Sequence, residues 1–148
     1  MSDLNTGLVW EKKDNLDSTA NPSDPHDADN LYSWSTSGTV PDGTVYTTFL
    51  AQLNNCSSMD GTATSGGFAG HCDWRLPTSA ELQAILLAPY QCGTHPCIDP
   101  IFGPTFGGFW SSTSFDGFHA WLVSFFDGSV FYNDTSLNGY GRAVRGGL

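Results

Sequence analysis

The stretch WLVSFFDGSVFY, Trp121–Tyr132, decides how this chain reads. An Asp-Gly pair between two aromatic-rich runs is a strong hairpin signal, and a two-residue turn at Asp127-Gly128 fixes a register. Phe126 then faces Ser129, Phe125 faces Val130, Ser124 faces Phe131 and Val123 faces Tyr132. Side chains alternate along a strand, so Trp121, Val123, Phe125, Val130 and Tyr132 share one face, apolar enough to be core. Leu122, Ser124, Phe126, Ser129 and Phe131 share the other, which is too apolar for an ordinary solvent face. The expectation is a hairpin whose second face serves binding.

Working outward, GFWSSTS before this stretch and GRAVR after it read as further strands, and TGLVWEK near the start as a first strand. LYSW reads as a short element that inserts Tyr32 and Trp34 into the core. Two helices are expected. In TVYTTFLAQLNNC the residues Phe49, Leu50 and Leu53 fall at helical spacing after threonines able to cap the first turn. In PTSAELQAILL, Thr78 stands three residues before Glu81 as a capping box, and Leu82, Ile85 and Leu86 form one stripe that packs on a sheet. From about residue 89 no helix is expected, and PYQCGTHPCIDPIFGPTFGG is an irregular run. No internal repeat occurs. The pattern predicts one α+β domain over residues 1–148.

The charge balance, 5 Lys+Arg against 15 Asp+Glu for a net −10, disfavours nucleic acid and other polyanions as partners. Few charges, 14% aromatics and 17 glycines fit a loop-rich extracellular or surface domain. No secretory signal and no membrane-length apolar run is present. Because MSDLNTGLVW leads straight into a strand, the expectation is a domain cut from a longer protein.

Four cysteines allow three pairings, and Cys56 with Cys72 and Cys92 with Cys97 is the favoured one, since each pair brackets a Gly-rich or Pro-containing loop. Zinc is the rival, prompted by His71 and His95 beside thiols, but no C-x-x-C spacing supports it. The acidic loop KDNLDSTANPSDPHDADN carries oxygens that calcium accepts, yet its spacing does not match the twelve-residue calcium loop, and a solvated loop is favoured. No cofactor is expected. No nucleophile elbow, phosphate loop or H-E-x-x-H helix occurs. His119 near Ser111, Ser112 and Ser114 has no third group to orient it, and Asp73, Asp99 and Asp116 read as turn or capping residues. The chain is not expected to be an enzyme.

TGLVWEK, HCDWRLPTSAEL, FWSST, AWLVSFFDG and GRAVRG together resemble the DUF1566 family, which includes the C-terminal domain of Legionella collagen-like adhesins. The resemblance runs from about Thr6 to Gly147. It implies a C-type-lectin-like fold related to the formylglycine-generating enzymes, with two helices packed on a small twisted antiparallel sheet and long irregular loops. It implies structural roles for Trp74, Arg75, Leu76 and Pro77, with a ligand role for Arg75 as the sharper alternative. Arg142 and Arg145 pose the same choice. Some relatives with this fold are diversified by retroelements that randomise adenine positions, which do not generate Lys, Glu, Gln, Met or Trp. Between Ser111 and Gly141 none of these occurs except Trp121, the pattern that such diversification of the C-terminal surface would leave; a fixed, non-diversified domain is the alternative.

The resulting expectation is a non-catalytic module that displays Phe115, Asp116, Phe118, His119, Leu122, Ser124, Phe126, Ser129 and Phe131 to a protein or glycan on another cell or surface. The alternative makes the same face a self-association or interdomain surface. The sequence departs from the family at Gly141, where a β-branched residue is common, and in its acidity, which opposes binding of sulfated glycans. The catalytic cysteines of the formylglycine-generating enzymes have no counterpart in the late strands.

Overall fold

The computed structural model describes residues 1–56 and 66–147, and its elements follow the expected order. Strand β1 (Leu8–Trp10) leads through the acidic loop to the two-residue strand β2 (Tyr32–Ser33). Helix α1 opens as a wide π-type helix over Val45–Leu50 and closes with one α turn over Ala51–Leu53. Helix α2 (Ser79–Ala84) follows, then β3 (Gly108–Ser114), β4 (His119–Ser124), β5 (Val130–Asp134), β6 (Asn138–Gly139) and β7 (Val144–Gly146). The irregular run before β3 holds a single 3₁₀ turn, Pro100–Phe102, capped by the Asp99 carboxylate on the Ile101 amide.

The capping box forms as its spacing requires. Thr78 Oγ1 accepts from the Glu81 amide at 3.1 Å and Glu81 Oε2 accepts from the Thr78 amide at 2.8 Å. Leu82 is fully buried, with Ile85 and Leu86 packed beside it. At α1 the expected threonine cap is absent, because the Thr44 hydroxyl accepts from the Ser33 amide and so serves β2 instead. Phe49 and Leu53 still point inward.

The sheet is antiparallel, in the order β3-β4-β5. Its hairpin corrects the register: Trp121 faces Tyr132, Leu122 faces Phe131 and Val123 faces Val130. The connection is therefore the four residues Phe125–Gly128, closed by the Gly128 amide on the Ser124 carbonyl. Tertiary bonds override the local Asp-Gly preference. The Phe125 amide binds the Gly107 carbonyl, while the Cys97 and Cys92 amides bind the carbonyls of Phe125 and Asp127. Those bonds draw Phe125 into the core, and Gly128 supplies the positive φ of +83° that closes the longer loop.

Two core layers lie against this sheet, one on each side. Trp110, Ala120 and Leu122 join Tyr32, Trp34, Phe49 and Leu53 on the α1 side. Phe109 and Val123 join Trp10, Leu82, Ile98 and Phe125 on the α2 side. Strand β4 is consequently buried on both faces, which is why it is apolar at successive positions. Strand β5 is the sheet edge, with Val130 39% and Tyr132 49% exposed. The division into a core face and a binding face is thus replaced by a central strand and an edge strand.

The last strand returns to the first, with Leu8 opposite Gly146 and Trp10 opposite Val144. Arg75 and Val144 exchange backbone bonds beside them, and the Asn54 side chain bonds both to the Trp74 amide and to its carbonyl. Disulfides join Cys56 to Cys72 and Cys92 to Cys97, the expected pairing; the loop bracketed by the first lies partly outside the described residues. Gly141 abuts the Phe49 ring, where an added Cβ would approach to 3.0 Å, so close packing favours glycine there.

Candidate functional site

The reversal between β3 and β4 gathers an exposed aromatic nest. Phe115 and Tyr132 stack with centroids 4.2 Å apart and planes within 10°, and Trp121 meets both edge-on at 5.3 and 5.5 Å. Phe115 and Tyr132 are each about half exposed, at 48% and 49%. His119 packs edge-on to Tyr132 at 5.5 Å. Asp116 accepts from the Phe118 and His119 amides and meets His119 Nδ1 at 2.7 Å. The Phe118 amide, followed by the imidazole and last by the His119 amide, holds the Asp116 carboxyl below its usual range.

The nine expected ligand-facing residues do not form one surface. Phe115, Asp116, Phe118 and His119 cluster at the reversal, with the Phe118 ring lying over Gly38. Leu122 and Ser124 are buried: Leu122 packs in the α1-side core, and the Ser124 hydroxyl accepts from the Phe126 amide. They support the surface from beneath and are not presented on it. Phe126 sits at the other end of the hairpin, stacked on His95 at 4.6 Å and beside Phe106 at 5.6 Å. Ser129 is half-buried and donates to Asp127 at 2.7 Å. Phe131 lies on the α1 side of the sheet, over Gly108.

Residues outside the expected set line the same region. Val130 and Tyr132, expected in the core, are exposed on the α2 side, with Trp121 half-buried beneath them, because α2 packs on β3 and β4 and stops short of the edge strand. Beside Val130 a groove of about 710 Å³ opens between the hairpin and the segment after α2, lined by Gln83, Leu86, Pro89, Tyr90 and Asp127. The Cys92–Cys97 bridge and the Cys92 amide on Asp127 pin that wall to the hairpin. Pro89 and Tyr90 carry no periodic signal, so only the disulfide beside them could have pointed to the groove.

With the hairpin, the capped α2 and the paired terminal strands in place, comparison with known families is decisive: the model of the Lcl C-terminal domain matches residues 1–145. The chain belongs to the Lcl C-terminal domain family. No curated protein matches it.

In this Lcl C-terminal domain four of the five cations are committed to the fold, and Lys12 is exposed. Arg142 is fully buried and donates to the carbonyls of Glu11 and Phe102 and to Thr105 Oγ1, each at 2.9 Å. Arg75 grips Glu81 with two 2.8 Å bonds, and Arg145 pairs with Asp73 at 2.7 Å. Asp73 is therefore an ion-pair partner and not a turn former. Lys13 is buried against Glu11 at 2.9 Å, and His26 meets the same carboxylate at 3.0 Å. Burial raises the Glu11 pKa, but Lys13, His26 and Arg142 outweigh it and hold the group ionised.

The acidic loop spends its oxygens on itself. Asp29 Oδ2 accepts from the amides of Asp17, Ser18 and Thr19, and Asp24 and Asp27 accept from amides two residues on. Among the described residues no cluster of three or more His, Cys, Asp or Glu side chains is arranged to hold a metal ion. The Ser111 hydroxyl donates to the Trp121 carbonyl at 2.7 Å, while His119 is engaged with Asp116.

Proposed function

We propose that the domain is a non-catalytic binding module that presents the aromatic nest, with the Asp116–His119 pair beside it, to a macromolecule on another cell or surface. One observation carries this reading: Phe115 and Tyr132 stack on one another while half exposed, on a sheet packed on both sides. Their contact area is already ordered, so a partner gains apolar burial at small entropic cost. Two disulfides fit an oxidising compartment outside the cytosol. Paired terminal strands, two helices and a loop-rich late sheet favour the C-type-lectin-like assignment.

The test is capture from panels of surface proteins and glycans by the intact domain and by the double variant Phe115→Ser, Tyr132→Ser. Expected is loss of capture by a variant that still unfolds cooperatively, with its melting temperature lowered by only a few degrees. Undiminished capture by the double variant would refute the assignment. We also propose that the C-terminal surface is diversified by a retroelement, which is tested separately in the genome by a near-copy of the 3′ coding end, differing at adenines, beside a reverse transcriptase gene; its absence ends that proposal alone.

Self-association is the second reading, favoured by the exposed Phe106–Phe126–His95 cluster at the opposite end of the hairpin. Light scattering across concentration separates the two. A concentration-dependent oligomer that Phe126→Asp dissolves into a folded monomer supports self-association, and a monomer throughout supports display.

A further inference from the structure

Building on the display reading, we infer that the outer edge of β5 is an acceptor for an extended, basic segment of a partner protein, which joins the sheet as a further strand and sends alternate side chains into the groove beside α2. The hydrogen-bond parity of the hairpin sets the direction of the free groups. Ser124 donates to Ser129, and Thr135 to Phe118, so the bonded pairs fall at even positions of β4 and include Leu122 with Phe131. Val130 and Tyr132 are non-bonded partners of Val123 and Trp121, and their amides and carbonyls point away from β4. No described residue bonds to them. Two donors and two acceptors at strand spacing form a template for another backbone, and a glycan has no matching repeat.

The groove continues that edge. Val130 is both the first residue of β5 and part of the groove wall, opposite Leu86, Pro89 and Tyr90. A strand laid on the edge sends every second side chain to the α2 side, about 7 Å apart, so one enters the groove and the next reaches Tyr132 and Trp121.

Charge selects the occupant. From Leu76 to Gly141 the chain has no Lys or Arg and carries Glu81, Asp99, Asp116, Asp127 and Asp134. Arg75 neutralises Glu81, whereas Asp127 and Asp134 flank β5 at its two ends. The Ser129 and Ser136 hydroxyls donate to these two carboxylates at 2.7 and 2.6 Å. A basic strand is attracted at both ends, while a second copy of this chain would bring two acidic edges together.

The test uses the intact domain and a fluorescein-labelled peptide of alternating lysine and valine, read by fluorescence anisotropy. Expected is binding that weakens roughly tenfold when glutamate replaces lysine, and again when alternate residues are N-methylated in one phase but not in the other. Val130→Pro removes an outward amide that β4 does not use, and is expected to weaken binding roughly tenfold at unchanged melting temperature. Tyr90→Ala, in the groove wall, serves if that variant does not fold, and is expected to weaken binding without touching the ladder. Absence of binding, or binding indifferent to N-methylation, overturns the inference. Either result together with retained capture through Phe115 and Tyr132 leaves the display reading standing.

Discussion

Leu122 and Phe131 stand directly opposite one another across β4 and β5, yet Leu122 is 3% exposed and Phe131 37%. The pair shares a face and a register, and differs only in that core packs over the central strand and thins at the edge. Leu122→Ala is expected to lower unfolding stability by about 2–5 kcal/mol, the range for a cavity in a well-packed core. Phe131→Ala is expected to cost clearly less. Urea unfolding of the two variants checks this; equal losses would place the core on the wrong side of the hairpin.

The α2 capping box predicts an acid-sensitive helix. Arg75, then the Thr78 amide and hydroxyl, outweigh desolvation and hold Glu81 below its ordinary range, and Arg145 does the same for Asp73. A carboxylate with a depressed folded pKa contributes stability that is complete above its unfolded value and lost as pH falls through the folded one. The urea midpoint is therefore expected to hold down to about pH 5 and to fall below about pH 4. Thr78→Ala is expected to cost about 0.5–2 kcal/mol at neutral pH. Glu81→Gln is expected to be less stable at neutral pH and to flatten the acid limb.

These elements were legible because their causes are local. Thr78 and Glu81 meet within one turn, and the alternation of GRAVR and TGLVW marks each as a strand, whereas their pairing through Val144 and Trp10 joins opposite ends of the chain and has no local signal. The hairpin loop was legible only in part. Asp-Gly favours a two-residue turn locally, but the bonds that pull Phe125 inward come from Gly107 and Cys97, and neither announces its partner in sequence. Moving the turn by two residues preserved which side chains share a face, so parity survived while burial did not. Edge position is a property of the whole sheet, which is why Tyr132 was assigned to core and Leu122 to surface.

Closing a short loop, the Cys92–Cys97 bridge is expected to contribute about 2 kcal/mol through the unfolded chain. It also anchors the groove wall, since the Cys92 and Cys97 amides bind the hairpin loop. The double variant Cys92→Ser, Cys97→Ser is expected to lower the urea midpoint and to raise amide exchange at Asp127 and Gly128 while β3 stays protected. Uniform loss of protection would show that the bridge holds the whole fold and not this wall. Thiol titration of the denatured, unreduced wild type is expected to find no free thiol.

Arg142 permits the sharpest separation of structure from recognition. Its guanidinium lies among the rings of Phe102, Phe109 and Phe125, with its charged carbon 5.3–5.8 Å from their centroids. Burial pushes its pKa down to about 10, against the opposing pull of Glu11, so it stays charged at neutral pH. Arg142→Met is expected to cost about 3–5 kcal/mol, because the carbonyls of Glu11 and Phe102 lose their donor and Glu11 loses a neighbouring cation. Arg142→Lys keeps the charge but has no planar fork to reach Glu11, Phe102 and Thr105 together, and is expected to fall between the two. Ligand capture by the folded fraction of Arg142→Lys, measured at low temperature, is expected to match wild type. A selective loss of capture there would move Arg142 from the scaffold to the binding surface, which its complete burial argues against.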